Sequence, residues 1–192
     1  MLLRGFAPVA RRDARVLILG SMPSEASLAE KFYYAHPANA FWWLLAGVLG
    51  CAVPQTVAAK RRLLREHRIA LWDVVHRCRR RGSLDAAIEG GSVEANDLCA
   101  FLLAHPGITQ VFFNGGAAEQ LFRRHQRFAV QRCCPRLRFL RLPSSSPANA
   151  SWSRARKLAA WGDALRPALV GAAPVGPASA GRRPASRSLQ SE

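Results

Sequence analysis

"RVLILG", residues 15–20, is an unbroken apolar run closed by a glycine. A strand with one wet face alternates apolar and polar residues. A strand of a parallel sheet is buried on both faces and reads as a continuous apolar run. The stretch therefore predicts a central parallel strand. Three more share its form: "IALWDVV" (69–75), "QVFFNGG" (110–116) and "LRFLRLP" (137–143). Between them the apolar spacing is helical, over 39–50, 56–67, 94–105, 117–124 and 153–165. Strands separated by helices predict an α/β fold, a three-layer α/β/α sandwich around a four-stranded parallel sheet. In such sheets ligands bind beyond the carboxyl ends of the strands. That rule selects four loops: 20–24, the chain from Asp73, 114–116 and 143–147. All four carry small or polar residues and should converge.

The chain has 192 residues and a net charge of +16, with 28 basic residues against 12 acids. So large a surplus favours a polyanion, because basic side chains release counterions from phosphate. From Pro167 onward the chain is Pro-, Ala-, Gly-, Ser- and Arg-rich without apolar periodicity, which predicts a disordered tail over 167–192. With three Arg and one Glu in that tail, +14 remains on the rest. The five cysteines form no CxxC and no zinc spacing, and read as reduced thiols. No apolar run at the N-terminus is long enough for a signal peptide or a membrane span. A cytosolic or nucleoid location is the default expectation.

"GSMPS" (20–24) is a strand-to-helix turn that lacks the lysine of a P-loop. "LPSSSPANASWSRARK" (142–157) sets three serines between prolines, with hydroxyls and amides suited to phosphate oxygens and Arg154, Arg156 and Lys157 close behind. Ser151 or Ser153 also serves as a helix cap. Asn114 either reads a ligand or bonds its own turn. Asp73, at a strand end, needs a partner if buried: an internal Arg or a ligand N–H. Arg77, Arg79, Arg80 and Arg81 follow it as a solvated face within reach of a DNA backbone. His36, ahead of a proline, reads as structural. Asn39 sits where a helix starts and is a good cap residue.

Taken together, "LILGSMPSEAS", "FYYAHPANAFWWLL", "IALWDVVHRCRRRGSLDAAI", "VFFNGG" and "LPSSSPANASW" resemble the hypoxanthine/uracil-DNA glycosylase branch (family 6, DNA-deoxyinosine glycosylase) of the uracil-DNA glycosylase superfamily. The resemblance runs over residues 5–166 and implies a domain that flips a deaminated base and hydrolyses its glycosidic bond, with no metal or cofactor. Related branches carry an Asp or Asn in the first motif to position the attacking water, where this chain has Ser21. In this branch the catalytic asparagine lies in the second motif and matches Asn39. The resemblance makes Tyr34 the ring that stacks on the base. It places Ser21, Met22, Asp73 and Asn114 around that base. It assigns Pro23, Ser24, Ser144, Ser145, Ser146, Pro147, Ala148 and Arg154 to the DNA backbone and the wedge. The expected partner is DNA containing a deaminated base, double-stranded or also single-stranded, bound by a monomer with no membrane. Lys31, Lys60 and Lys157 offer no nucleophile, so the enzyme is expected to be monofunctional. A DNA-binding module on the same fold, without catalysis, is the alternative.

Overall fold

The computed structural model describes residues 2–170. In chain order the elements are β1 (Leu2–Arg4), β2 (Val16–Gly20), α1 (Glu25–Ala29), α2 (Phe41–Leu49), α3 (Val57–Glu66), β3 (Ile69–Asp73) and β4 (Val75–Arg79). There follow β5 (Glu94–Ala95), α4 (Leu98–Ala104), β6 (Gln110–Asn114), α5 (Gly116–His125), α6 (Arg127–Cys133), β7 (Arg138–Leu142) and α7 (Arg154–Val170).

The four apolar runs form one parallel sheet in the order β3-β2-β6-β7, flanked by helices. All five residues of β2 and of β3 are buried, which is why neither alternates. β7 lies at the edge and exposes Arg138 and Arg141, charges that discourage further strand pairing. The register sets Gly20 beside Asp73, and Asn114 beside Leu142. The four loops therefore leave the sheet along one rim. α2 packs on α7, and the core between them and the sheet includes Phe41, Leu44, Leu45, Trp161 and Leu165.

Several boundaries differ from the sequence reading. The run 69–75 is two strands. β3 ends at Asp73, and Val75–Arg79 turns away as β4, the centre of a second, antiparallel sheet in the order β1-β4-β5. β1 and β5 have three and two residues, too few to show a period, and β1 precedes residue 5. Residues 94–105 are not one helix. Glu94–Ala95 is β5, and α4 starts only where the Asp97 carboxylate accepts the Ala100 N–H. The run 127–133 is a further helix. α7 continues through Pro167 to Val170, held by packing of Ala168 and Leu169 on the core. The rest of the expected tail, 171–192, lies outside the described residues. Cys99 and Cys133 are joined as a disulfide, against the expectation of five reduced thiols. The packing of α4 on α6 brings them together, and spacing along the chain does not reveal it. No described helix is long and apolar enough to cross a membrane.

Candidate active site

A cavity of about 80 Å³ opens on the rim where the strands end. Its lining joins the motifs: Gly20 to Ser24 from the first, Tyr34 and Asn39 from the second, then Asp73, Asn114 and Ser144 to Ser146. Pro147, Ala148 and Arg154 are not in its wall.

Glycine is required at position 20. A Cβ there would overlap Asp73 Oδ1 and stand 2.8 Å from the Tyr34 hydroxyl. Tyr34 takes φ +52°, a conformation that non-glycine residues avoid and that is kept where surrounding packing demands it. One face of its ring stacks on Phe41, with centroids 3.9 Å apart and planes 13° from parallel. Its hydroxyl is buried without a partner.

Asn39 lies two residues ahead of α2. Its Oδ1 accepts the Phe41 N–H at 3.0 Å, and its own N–H bonds His36 O. The side chain thus does cap the chain locally, and the same bond fixes the carboxamide at the cavity wall. Its Nδ2 has no partner among the described residues. The next residue ties this motif to the last one: Ala40 N–H donates to Ser145 O at 3.0 Å.

Asn114 faces the cavity, but both ends of its carboxamide are engaged. Its Nδ2 donates to Ser145 Oγ, and its Oδ1 accepts the Ser145 N–H, both at 2.8 Å. Trp161 Nε1 anchors the start of the same loop on Pro143 O. Ser144 and Ser146 bond the amides of Ser146 and Ala148, so the triple-serine loop is braced from within. Ser153 caps α7 through the Arg156 N–H. Pro147 and Ala148 are exposed at the loop tip, and Arg154 lies over the exposed Trp43 ring.

The first motif is more inward than a DNA-contacting loop would be. Met22 and Pro23 are buried, and Ser24 caps α1 by accepting the Ser27 N–H. Arg80 holds this loop. Far from lying on a solvated face, it is 2% exposed. Its Nη2 donates to Pro23 O and its Nε to Gly82 O. β4 turns position 80 inward while Arg77, Arg79 and Arg81 remain outside. A run of four arginines does not say which one the pleat will bury.

Asp73 is buried, and its Oδ2 is sealed from solvent without a partner. The backbone at this point is pinned by buried Asn96, whose Nδ2 donates to Asp73 O at 2.8 Å. Burial, reinforced by the nearby Asp85 and opposed by Arg80, pushes the carboxyl up to about 8. At neutral pH it therefore carries a proton. Asp85 itself is a cavity residue that the sequence did not single out. It sits in the chain between β4 and β5, and its Oδ1 accepts the Ser21 hydroxyl at 2.6 Å. Its only sequence signal is its place in the motif quoted above, "RRRGSLDAAI".

Residues 7–166 match the family model of the uracil DNA glycosylase superfamily. The chain belongs to the uracil DNA glycosylase superfamily. Two curated relatives are both named hypoxanthine DNA glycosylase. The one from Methanosarcina acetivorans is 35% identical over 159 residues, covering 82% of this chain and 94% of its own. The one from Methanosarcina barkeri is 35% identical over 125 residues, covering 62% and 77%. A solution NMR structure from M. acetivorans, assigned as a uracil DNA glycosylase, superposes with a TM-score of 0.73 at 32% identity. It covers 88% of this chain and 99% of its own. The protein is thus a DNA glycosylase with DNA as its substrate, and the cavity at the strand ends is its candidate active site.

Proposed function

We propose that this glycosylase draws hypoxanthine or uracil out of DNA into the rim cavity, hydrolyses its glycosidic bond and leaves an abasic site. One observation carries the reading: a fixed carboxamide, an aromatic face and an unpaired buried carboxyl share one small cavity at the strand ends. Two relatives named for hypoxanthine support it further.

Extruding a base costs a few kcal/mol, least for a poorly paired one, and stacking and new hydrogen bonds offset it. The base stacks on the Tyr34 face opposite Phe41. Asp73 bonds its polar edge, while Ser21 and Met22 line the pocket and Asn114 braces it. As the C1′–N bond breaks, its electron pair leaves with the base. A water oxygen bonds to C1′ and gives up a proton. Asn39 orients that water and stabilises the positive charge developing on the sugar, by placement rather than by strong basicity. Ser144 to Ala148 and Arg154 meet the backbone, and Pro147 with Ala148 forms a small, rigid wedge. Pro23 and Ser24 support this surface from beneath.

None of the three lysines lines the cavity. Lys157 is buried with its Nζ on Asn149 O, and Lys60 lies over Trp42. The reaction therefore ends at the abasic site, without strand cleavage. The test is a panel of oligonucleotides with uracil, hypoxanthine, xanthine or thymine opposite each normal base, single- and double-stranded. Alkali-labile sites should form at hypoxanthine and uracil only, and no breaks should form without alkali. Release of neither base would sink the reading. DNA affinity should fall steeply with added salt.

Asp73 predicts a pH dependence. The charges near it are Asp85 and Arg80, with the Tyr34 phenol beside it. The folded chain holds the Asp73 proton up to about 8, and the ordinary value is 3.8. Its contribution to stability is therefore full below about 3.8 and is lost as pH rises from there through about 8. Base release should fall only as pH passes about 8, if the acid form donates to the base. Asp73→Asn, a permanent donor, should flatten both profiles. Thermal melts and rates measured from pH 5 to 9 check this, and an unchanged slope in the variant would refute it.

A further inference from the structure

The chain between β4 and β5 sets an acidic side chain at the cavity, and the reaction as proposed gives it no part. Asp85 Oδ1 is held by Ser21, while Oδ2 accepts no hydrogen bond from another described residue. Asp73 lines the same cavity, 3% exposed, with Oδ2 unpartnered. A carboxylate in a DNA cleft repels phosphate, and this chain has only 12 acids against 28 basic residues. Asp85 is exposed at the cavity mouth, and its free Oδ2 leaves an acceptor open to a base edge.

Deamination inverts a base edge. Adenine presents an amine donor beside an acceptor ring nitrogen, N1. Hypoxanthine presents a carbonyl acceptor beside an N1–H donor. Cytosine and uracil differ in the same way at C4 and N3. We propose that Asp85 is a specificity-determining residue whose carboxylate accepts the ring N–H that deamination creates, while Asp73 meets the adjoining carbonyl. This rests on the base-pocket reading above. An acceptor beside a donor complements the lactam. It would set lone pair against lone pair at adenine N1 or cytosine N3.

Burial raises the Asp85 carboxyl above its ordinary value, and the Ser21 hydroxyl and Arg80 offset part of that rise. Asp73, more deeply buried and facing a like charge, keeps the proton. Thymine and guanine carry the same lactam, so their rejection falls to other parts of the pocket.

The test measures single-turnover release by the full chain from duplexes holding hypoxanthine, 1-methylhypoxanthine, uracil or 3-methyluracil. Asp85→Ala should slow release of the two unmethylated bases by about 10- to 100-fold, the range for one charge-assisted hydrogen bond. It should shrink the preference for unmethylated over methylated base by the same factor. Asp85→Asn, which keeps the shape, should also lose that preference. Ser21→Ala, which removes the hydroxyl that holds Oδ1, should weaken that preference in part. Equal slowing on methylated and unmethylated bases by Asp85→Ala would overturn the inference, as would no slowing. If Tyr34→Ala and Asp73→Ala also leave release unchanged, the base pocket itself is misplaced and both readings fall. If those two slow release and Asp85→Ala does not, only the inference falls.

Discussion

Asn39→Ala should lower single-turnover base release by about 10²- to 10³-fold, the usual loss when one fixed dipole at a developing charge is removed. The asparagine has two functions, and the experiment separates them. Its Oδ1 accepts the Phe41 N–H ahead of α2, a cap-like bond whose loss costs about 1 kcal/mol. A small drop in melting temperature is therefore expected. The rate loss should far exceed it, because the same carboxamide reaches the cavity with its Nδ2 unused by the protein. Asn39→Asp keeps the acceptor for the Phe41 amide and should restore the melting temperature. Its rate shows whether a carboxylate can replace the carboxamide in orienting water. An Asn39→Ala variant that melts lower yet retains full activity would reduce the residue to a helix cap.

Arg80→Ala should be the most destabilising arginine substitution among positions 77 to 81, by about 3–5 kcal/mol, the range for breaking a buried charged contact. Arg79→Ala and Arg81→Ala, both exposed, should move the melting temperature little and weaken DNA binding instead. The reason is internal. Arg80 donates to Pro23 O and Gly82 O, and its charge offsets Asp73 and Asp85. Without it, two carbonyls lose a donor and two carboxyls lose their cationic neighbour. The Asp73 carboxyl should titrate higher still, displacing the pH profile upward. Arg80→Met, which fills the space without the charge, should also destabilise. Equal effects at positions 79, 80 and 81 would return Arg80 to the surface role its neighbours have.

These two residues mark how far the site was legible. Asn39, Tyr34, Asp73 and the serine loop were placed by motif and by strand-end position, and all line or border one cavity. Asp85 was not singled out, and Arg80 was read as part of a solvated face, though both stand in a quoted motif. A charged residue in an irregular segment carries no periodic signal, so its partner stays hidden until the chain is folded. Asn114 was placed at the cavity, but its bonds to Ser145 could not be read. They join segments 31 residues apart. The second sheet was missed because its strands are short and its long member looked continuous with β3.

The sequence by itself determined the parallel sheet, its helical flanks and the rim on which the site lies. Those features follow from apolar runs and glycine ends, which act over a few residues. Only the tertiary structure decided which arginine is buried, how far burial raises the Asp73 carboxyl, and that Asp85 joins Asp73 in the lining of one cavity. Burial and the neighbouring charges set those outcomes, and both arise when distant segments pack together.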